Sequence, residues 1–93
     1  VRYNVSVGDI EKPESNVIIS PNPSTGIFSV SVSTPATETF EISVTDLIGR
    51  EVLRTHATSN KPIKILLQQH EGVYYLQAAN EHRILKEKIV VIK

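Results

Sequence analysis

Apolar and polar residues alternate along most of this 93-residue chain. Phe28, Val30 and Val32, for example, are separated by single serines. A period of two is typical of a strand that has one buried face and one face in water. The segments with this period are 16–20, 28–33, 40–45, 50–55, 63–67, 73–79 and 83–92. About seven short strands at this spacing, with no amphipathic helix longer than a turn, predict an all-β fold: an immunoglobulin-like antiparallel β-sandwich.

The first interruption of the alternation, after residue 20, is rich in proline. Ser20 and Asn22 each precede a proline, which favours an extended backbone at both positions. Pro23 suits the first central position of a turn, and Gly26 can adopt the positive φ that leads into the next strand. This segment is therefore predicted to be a rigid turn between two strands.

Two later turns carry further structural signals. Asp46 and Gly49 occupy the first and fourth positions favoured in a type I turn, which would close a hairpin onto residues 50–55. Gly72 comes two residues before Tyr74 at the start of a late strand, as in the tyrosine corner of immunoglobulin-like sandwiches. We expect the Tyr74 ring to fill the end of the core and its hydroxyl to bond a nearby backbone group.

Length and patterning predict a single domain over residues 16–93, large enough for one modest core. Residues 1–15 are expected to be a linker or the end of a preceding domain, with a possible extra strand at 1–8. The chain opens at Val1 without a methionine or a signal peptide, so we expect it to be a piece of a longer protein. No apolar run approaches the ~20 residues that a transmembrane helix needs, so membrane insertion is not expected.

Charge is balanced along the chain. Ten basic and ten acidic residues give a formal net charge of zero. Nucleic-acid binding normally shows a basic surplus or stripe, so nucleic acid is not an expected partner. Arg83, Lys86 and Lys88 make the last strand mildly basic, but Glu81 and Glu87 balance them, and we expect a solvated face there.

No group of residues has the spacing of a catalytic or metal site. Cysteine is absent, which excludes disulfides, thiol catalysis and Cys-ligated zinc. His56, His70 and His82 have no metal-ligand spacing and are expected on the surface. The alternating serines lie outside any Gly-x-Ser-x-Gly elbow, and the four glycines are too widely spaced to cradle a phosphate. We therefore expect no enzymatic activity, no metal and no cofactor.

Four blocks of residues occur in a characteristic order. The first block contains Pro21, Asn22, Pro23, Gly26 and Phe28, the second Asp46, Gly49 and Arg50, the third Gly72 and Tyr74, and the terminal block Lys86, Lys88, Ile89, Val90 and Val91. Together these candidate sorting residues make residues 17–93 resemble the C-terminal sorting domain of the type IX (Por) secretion system, type A. One departure is the last hairpin, where family members often have glycine. This chain has Asn80 there, which tolerates a left-handed backbone.

The resemblance implies an export function. Such domains end proteins secreted by Gram-negative Bacteroidota, whose cargo reaches the periplasm by its own signal peptide. The folded domain is then recognised by the outer-membrane translocon and its shuttle proteins. A surface sortase commonly removes it, and the cargo stays at the cell surface or is released. The polar linker at 9–15 is the expected cleavage region, because exposed proline-containing linkers are accessible to proteases.

Recognition is expected to use backbone and shape more than charge, given the zero net charge. The terminal strand at 83–92 carries an unbroken aliphatic run at its end. As an edge strand it could pair with a partner or with a second copy, giving a homodimer.

An accessory module of a secreted protein, immunoglobulin- or fibronectin-like, is the alternative function. Such a module would bind carbohydrate or space domains. Carbohydrate binding usually needs exposed aromatic platforms, but Phe28, Phe40 and Tyr74 are assigned to the core. Tyr75, on the opposite face from Tyr74, is a single possible contact.

Overall fold

The structure, a computed structural model, describes residues 15–93. In chain order its strands are β1 (Asn16–Ser20), β2 (Ile27–Ser33), β3 (Thr39–Thr45), β4 (Glu51–Thr58), β5 (Ile63–Leu66), β6 (Gly72–Ala79) and β7 (Ile84–Val91). The predicted number and order of strands are confirmed. Within this range no helix is long and apolar enough to span a membrane. The possible extra strand at 1–8 and the linker at 9–15 lie outside the described residues, apart from Ser15.

The largest difference from the predicted bounds is at β4, which was expected at 50–55 and ends at Thr58. Its second half lacks large apolar residues, so the alternation is weak there. It nevertheless pairs in register with β3, because Ala57 lies opposite Phe40 and Thr58 opposite Thr39. The neighbouring strand therefore extends β4 beyond the point where its own sequence indicates a strand.

The strands form two antiparallel sheets. The three-stranded sheet has the order β1-β2-β5, and the four-stranded sheet has the order β4-β3-β6-β7. Strand β1 also contacts β7 across the gap between the sheets. The predicted all-β sandwich is confirmed, whereas its immunoglobulin-like character stays a prediction.

A single apolar core lies between the sheets. Its buried members are Phe28, Val30, Val32, Phe40, Ile42, Val44, Ala57, Ile65, Leu67, Tyr74, Leu76, Ala78, Ile89 and Val91. Alternate residues of β2, β3 and β6 supply most of them, as the period of two predicts. Truncating a buried phenylalanine such as Phe28 to alanine typically costs about 3–5 kcal/mol. The remaining residues of each strand form two solvent faces, one on each sheet.

A buried polar cluster closes one end of the sandwich. The Thr34 hydroxyl donates to the Ser59 hydroxyl at 2.7 Å, and the Glu38 backbone N–H donates to the same Ser59 oxygen at 2.8 Å. The Asn60 side chain accepts from the Thr34 N–H and donates to the Thr34 carbonyl. Asn60 holds a left-handed backbone, with φ at 65°. These bonds join the β2–β3 and β4–β5 loops, so the turn predicted around Asn60 is tied to the loop that crosses from one sheet to the other.

Candidate functional site

The four sequence blocks meet at the other end of the sandwich, which we call the motif end. Pairing of Thr45 with Tyr75 brings the β3–β4 turn beside the start of β6. Pairing of Gly72 with Val91 brings the end of β7 to the same place. Ser24 forms an isolated parallel bridge with Val91, which adds the first block. Residues that are far apart in sequence therefore share one end of the fold.

The first block runs along the outer edge of β7. The Ser24 N–H donates to the Val90 carbonyl at 2.9 Å, and the Ile92 N–H donates to the Ser24 carbonyl at 2.8 Å. The Ser20–Pro21 and Asn22–Pro23 peptide bonds are both cis. This segment therefore joins the edges of the two sheets, since it connects β1 and β2 of one sheet while bonding to β7 of the other.

The Asn22 side chain extends this pairing. Its amide nitrogen donates to the Lys88 carbonyl at 2.8 Å, and its amide oxygen accepts the Val90 N–H at 3.0 Å. One side chain thus offers a donor and an acceptor in the manner of a neighbouring strand. The outward backbone groups of β7 from the Lys88 carbonyl to the Ile92 N–H are consequently all hydrogen-bonded.

Gly26 ends the first block in a position that only glycine fits. It is buried, its φ is +115°, and an added Cβ would lie 2.8 Å from the Leu67 carbonyl oxygen. Its own carbonyl accepts the Leu67 N–H at 2.7 Å. The predicted positive φ is confirmed, and the close approach explains why the backbone there carries no side chain.

The second block is a hairpin turn held by Asp46. The Gly49 N–H donates to the Asp46 carbonyl at 3.0 Å, which is the bond expected for the predicted turn. The Asp46 carboxylate accepts the backbone N–H groups of Arg50 and Ile48, and the Arg50 guanidinium lies 3.1 Å away. The Arg50 N–H bond, followed by that of Ile48, lowers the pKa of Asp46. The turn thereby fixes Leu47 and Ile48 in solvent.

The third block confirms the tyrosine prediction. The Tyr74 ring is buried, and its hydroxyl donates to the His70 carbonyl at 2.6 Å. This bond holds the β5–β6 loop over the end of the core. His70 itself is exposed, as expected, and so are His56 and His82.

The solvent face of the four-stranded sheet carries ion pairs that were not predicted from the sequence. The Arg54 guanidinium contacts the carboxylates of both Glu41 and Glu51. Its hydrogen bond lowers the pKa of Glu51, and the two carboxylates raise the pKa of Arg54. Across the same sheet, Tyr75 lies opposite Lys88. Cross-strand register creates the Arg54–Glu41 and Tyr75–Lys88 neighbours, so spacing along one strand gives no signal for them.

The expectation that Arg83 lies on a solvated face is wrong. It is half-buried, with its guanidinium 3.1 Å from the Glu38 carboxylate and hydrogen-bonded to the Ser15 hydroxyl. Asn80 donates to Glu38 at 2.9 Å and accepts the Arg83 N–H at 3.0 Å. Asn80 therefore closes the β6–β7 turn with its side chain, and its backbone is not left-handed. This network lies at the end opposite the motif end.

The candidate sorting residues divide by exposure. The buried ones are Gly26, Phe28, Tyr74, Ile89 and Val91, the half-buried ones are Asp46 and Val90, and the exposed ones are Pro21, Asn22, Pro23, Gly49, Arg50, Gly72, Lys86 and Lys88. The first two groups build the fold, whereas the third is accessible to a partner. Within residues 15–93, no group of three or more His, Asp or Glu side chains is arranged to hold a metal ion.

Comparison with known proteins agrees with the four blocks. The family model described as "Secretion system C-terminal sorting domain" matches residues 18–93, from within β1 to the last residue. No curated protein matches the chain at a significant level. The matched range contains every block and the whole motif end. The chain therefore belongs to the secretion system C-terminal sorting domain family, whose members are C-terminal signals for type IX secretion.

Proposed function

We propose that this domain directs its cargo across the outer membrane through the type IX translocon and that it acts as a label rather than as a catalyst. The single observation that supports this most is the family match over residues 18–93, which contains the four blocks in order. The fold adds that these blocks converge at one end of the sandwich. A receptor for that end would contact all of them at once.

The folded domain, rather than a linear peptide, is the recognised species. Five of the fifteen candidate sorting residues are buried in the sandwich and are inaccessible to a receptor. Their contribution to sorting is therefore to stabilise the fold. The exposed residues of the first, second and terminal blocks remain as the contacts for the translocon and its shuttle proteins.

Sortase cleavage within 9–15 follows from the same proposal. The domain reaches the periplasm with its cargo, is recognised there, and is removed at the cell surface. The cargo then ends at the surface or outside the cell. A cut in this region leaves all seven strands in one released piece.

Pairing with a second copy, if it uses β7, is limited to the first half of that strand. Residues 88–92 are already bonded to Asn22 and Ser24 on their outer side. Outward-facing backbone groups alternate along an antiparallel strand, so Ile84 and Lys86 offer the open ones. The aliphatic run at 89–92, on which the sequence-based prediction of pairing rests, lies in the half of β7 whose outer edge is bonded to the first block.

A fusion experiment tests the proposed function. Residues 1–93 are attached to the C-terminus of a fluorescent protein that carries a periplasmic signal peptide. The fusion is produced in a type IX-competent bacterium and in a translocon-deficient sibling. Signal at the surface or in the medium of the competent strain alone supports sorting. Mass spectrometry of the exported reporter then shows whether a cut falls within 9–15.

Periplasmic retention in both strains would contradict sorting and favour the accessory module. Within the described residues, Tyr75 is the only exposed aromatic side chain. A single ring makes a poor platform for a sugar, so this alternative gains no support from the site.

A further inference from the structure

We propose that Leu47, Ile48 and the adjoining solvent face of the four-stranded sheet form a docking surface for a protein that presents apolar side chains beside carboxylates. This inference rests on the proposed function, and it adds the place of docking and the chemistry of the partner. None of the four sequence blocks identifies Leu47, Ile48 or the neighbouring Tyr75 as a contact.

The apolar part of the surface is a rigid tip. Leu47 is 68% exposed and Ile48 is 85% exposed. Central turn positions usually carry polar residues, glycine or proline, so two large aliphatic side chains there are unusual. The Asp46 carboxylate and the Asp46–Arg50 backbone bond hold the turn in one conformation. Docking would therefore bury the tip with little loss of conformational entropy.

The tip continues into a groove on the sheet. Leu47, Tyr75 and Lys86 line the same concavity between the hairpin turn and the solvent face of the sheet. Tyr75 is 45% exposed, and by register it lies opposite Lys88. Half-exposed aromatic rings beside aliphatic side chains are typical of protein interfaces. A concave groove beside a projecting tip fits the relief of a protein better than a flat bilayer.

The charges on this face indicate the sign of the charge that the partner carries. Glu41 and Glu51 are both bonded to Arg54. Lys86 and Lys88 have no ion-pair partner within the described part of the chain. The carboxylates of the face are thus already compensated, while two ammonium groups are not. A complementary partner must supply acidic groups next to its apolar contact.

The apolar contact is tested by the double variant Leu47→Ser, Ile48→Asn in the full-chain reporter fusion. The matched control is Ile18→Ser, Leu66→Asn, because both residues are 56% exposed on the other sheet. Both double variants should keep the melting temperature of the wild type, since all four side chains face solvent. We expect export to fall about tenfold for the tip variant, as for loss of an interface anchor, and to stay unchanged for the control.

The charge contact is tested separately by Lys86→Glu, Lys88→Glu, with Lys61→Glu, Lys64→Glu as the matched control. Reversal on β7 should lower export about tenfold, whereas the same change of net charge elsewhere should not. This pair also covers the case in which the tip variant fails to fold. If either the tip variant or the β7 charge variant folds and is exported as efficiently as the wild type, the proposal is overturned.

A photocrosslinker at Ile48 identifies the partner class, with one at Ile18 as the control. An adduct between Ile48 and a protein of the type IX machinery, absent from Ile18, supports the proposal. An adduct with lipid, or tip-dependent binding of the purified chain to phosphatidylglycerol vesicles, would overturn the protein assignment. If the wild-type fusion is not exported in a translocon-dependent way, the proposed function fails instead. The two failures are therefore distinguishable.

Discussion

Asn22 donates its side-chain amide hydrogen to the backbone carbonyl of Lys88 at 2.8 Å, although the two residues are 66 positions apart. The first and terminal blocks are thus joined in one structure. A partner that contacts one block at this end of the sandwich necessarily meets the other.

Asn22→Ala should destabilise the domain by about 1–2 kcal/mol, because two hydrogen bonds to β7 are lost. Chemical denaturation measures the change, and hydrogen exchange should show faster exchange at the Val90 amide. The neighbouring, exposed Thr25→Ala serves as the control and should change stability by less than about 0.5 kcal/mol. Equal stability of the two variants would contradict the bonding described for Asn22.

Gly26→Ala should destabilise the domain by about 3 kcal/mol or more, since it combines a left-handed backbone with a clash against the Leu67 carbonyl. Gly49→Ala is the matched control, because its φ is +89° but no atom lies within 4 Å of an added Cβ. The control should cost only about 1–2 kcal/mol for the backbone. Denaturant melts of both variants decide the point, and a smaller loss at Gly26 than at Gly49 would refute it.

Tyr74→Phe should lower the free energy of unfolding by about 1 kcal/mol, because the ring stays but the bond to the His70 carbonyl is lost. Tyr75→Phe provides a comparison on the exposed face, where we expect a change below about 0.5 kcal/mol. Thermal or denaturant unfolding of both proteins gives the result. Indistinguishable variants would show that the Tyr74 hydroxyl adds nothing to stability.

Asp46 should make stability depend on acid. Its pKa in the folded protein lies below its ordinary value of 3.8, so its stabilising contribution is present above that pH. The contribution is lost as the pH falls through the folded pKa. We expect the stability gap between the wild type and Asp46→Asn to be full near neutrality and to shrink below pH 3.8. Unfolding curves recorded from neutral pH into this acid range provide the measurement, and a gap that widens in acid would contradict the assignment.

Local signals in the sequence predicted much of this fold. Alternation identified the strands that contain Phe28 and Phe40, and turn chemistry identified the hairpin at Asp46. The position of Tyr74 after Gly72 predicted that its hydroxyl bonds a nearby backbone group, which is the His70 carbonyl. Each of these features depends on residues close together in the chain, or on a period that one strand displays by itself.

Contacts between distant segments were not predictable in the same way. Nothing in the sequence indicates that Asn22 meets Lys88, or that Arg54 joins two carboxylates on different strands. The balance of Arg83, Lys86 and Lys88 by Glu81 and Glu87 predicts a solvated face, whereas Arg83 is half-buried because it pairs with Glu38 of another loop. Register and sheet order create these neighbours, and neither is encoded by a local pattern.

The position of β7 has a consequence for incomplete chains. It supplies Ile89 and Val91 to the core, pairs with β6 along its whole length, and holds the first block at its outer edge. A polypeptide that stops before Ile84 therefore lacks the terminal block itself and also the contacts that hold the first and third blocks. If the folded domain is the species that the translocon recognises, we expect a protein truncated before Val91 to stay unexported, because its core and its first block are incomplete.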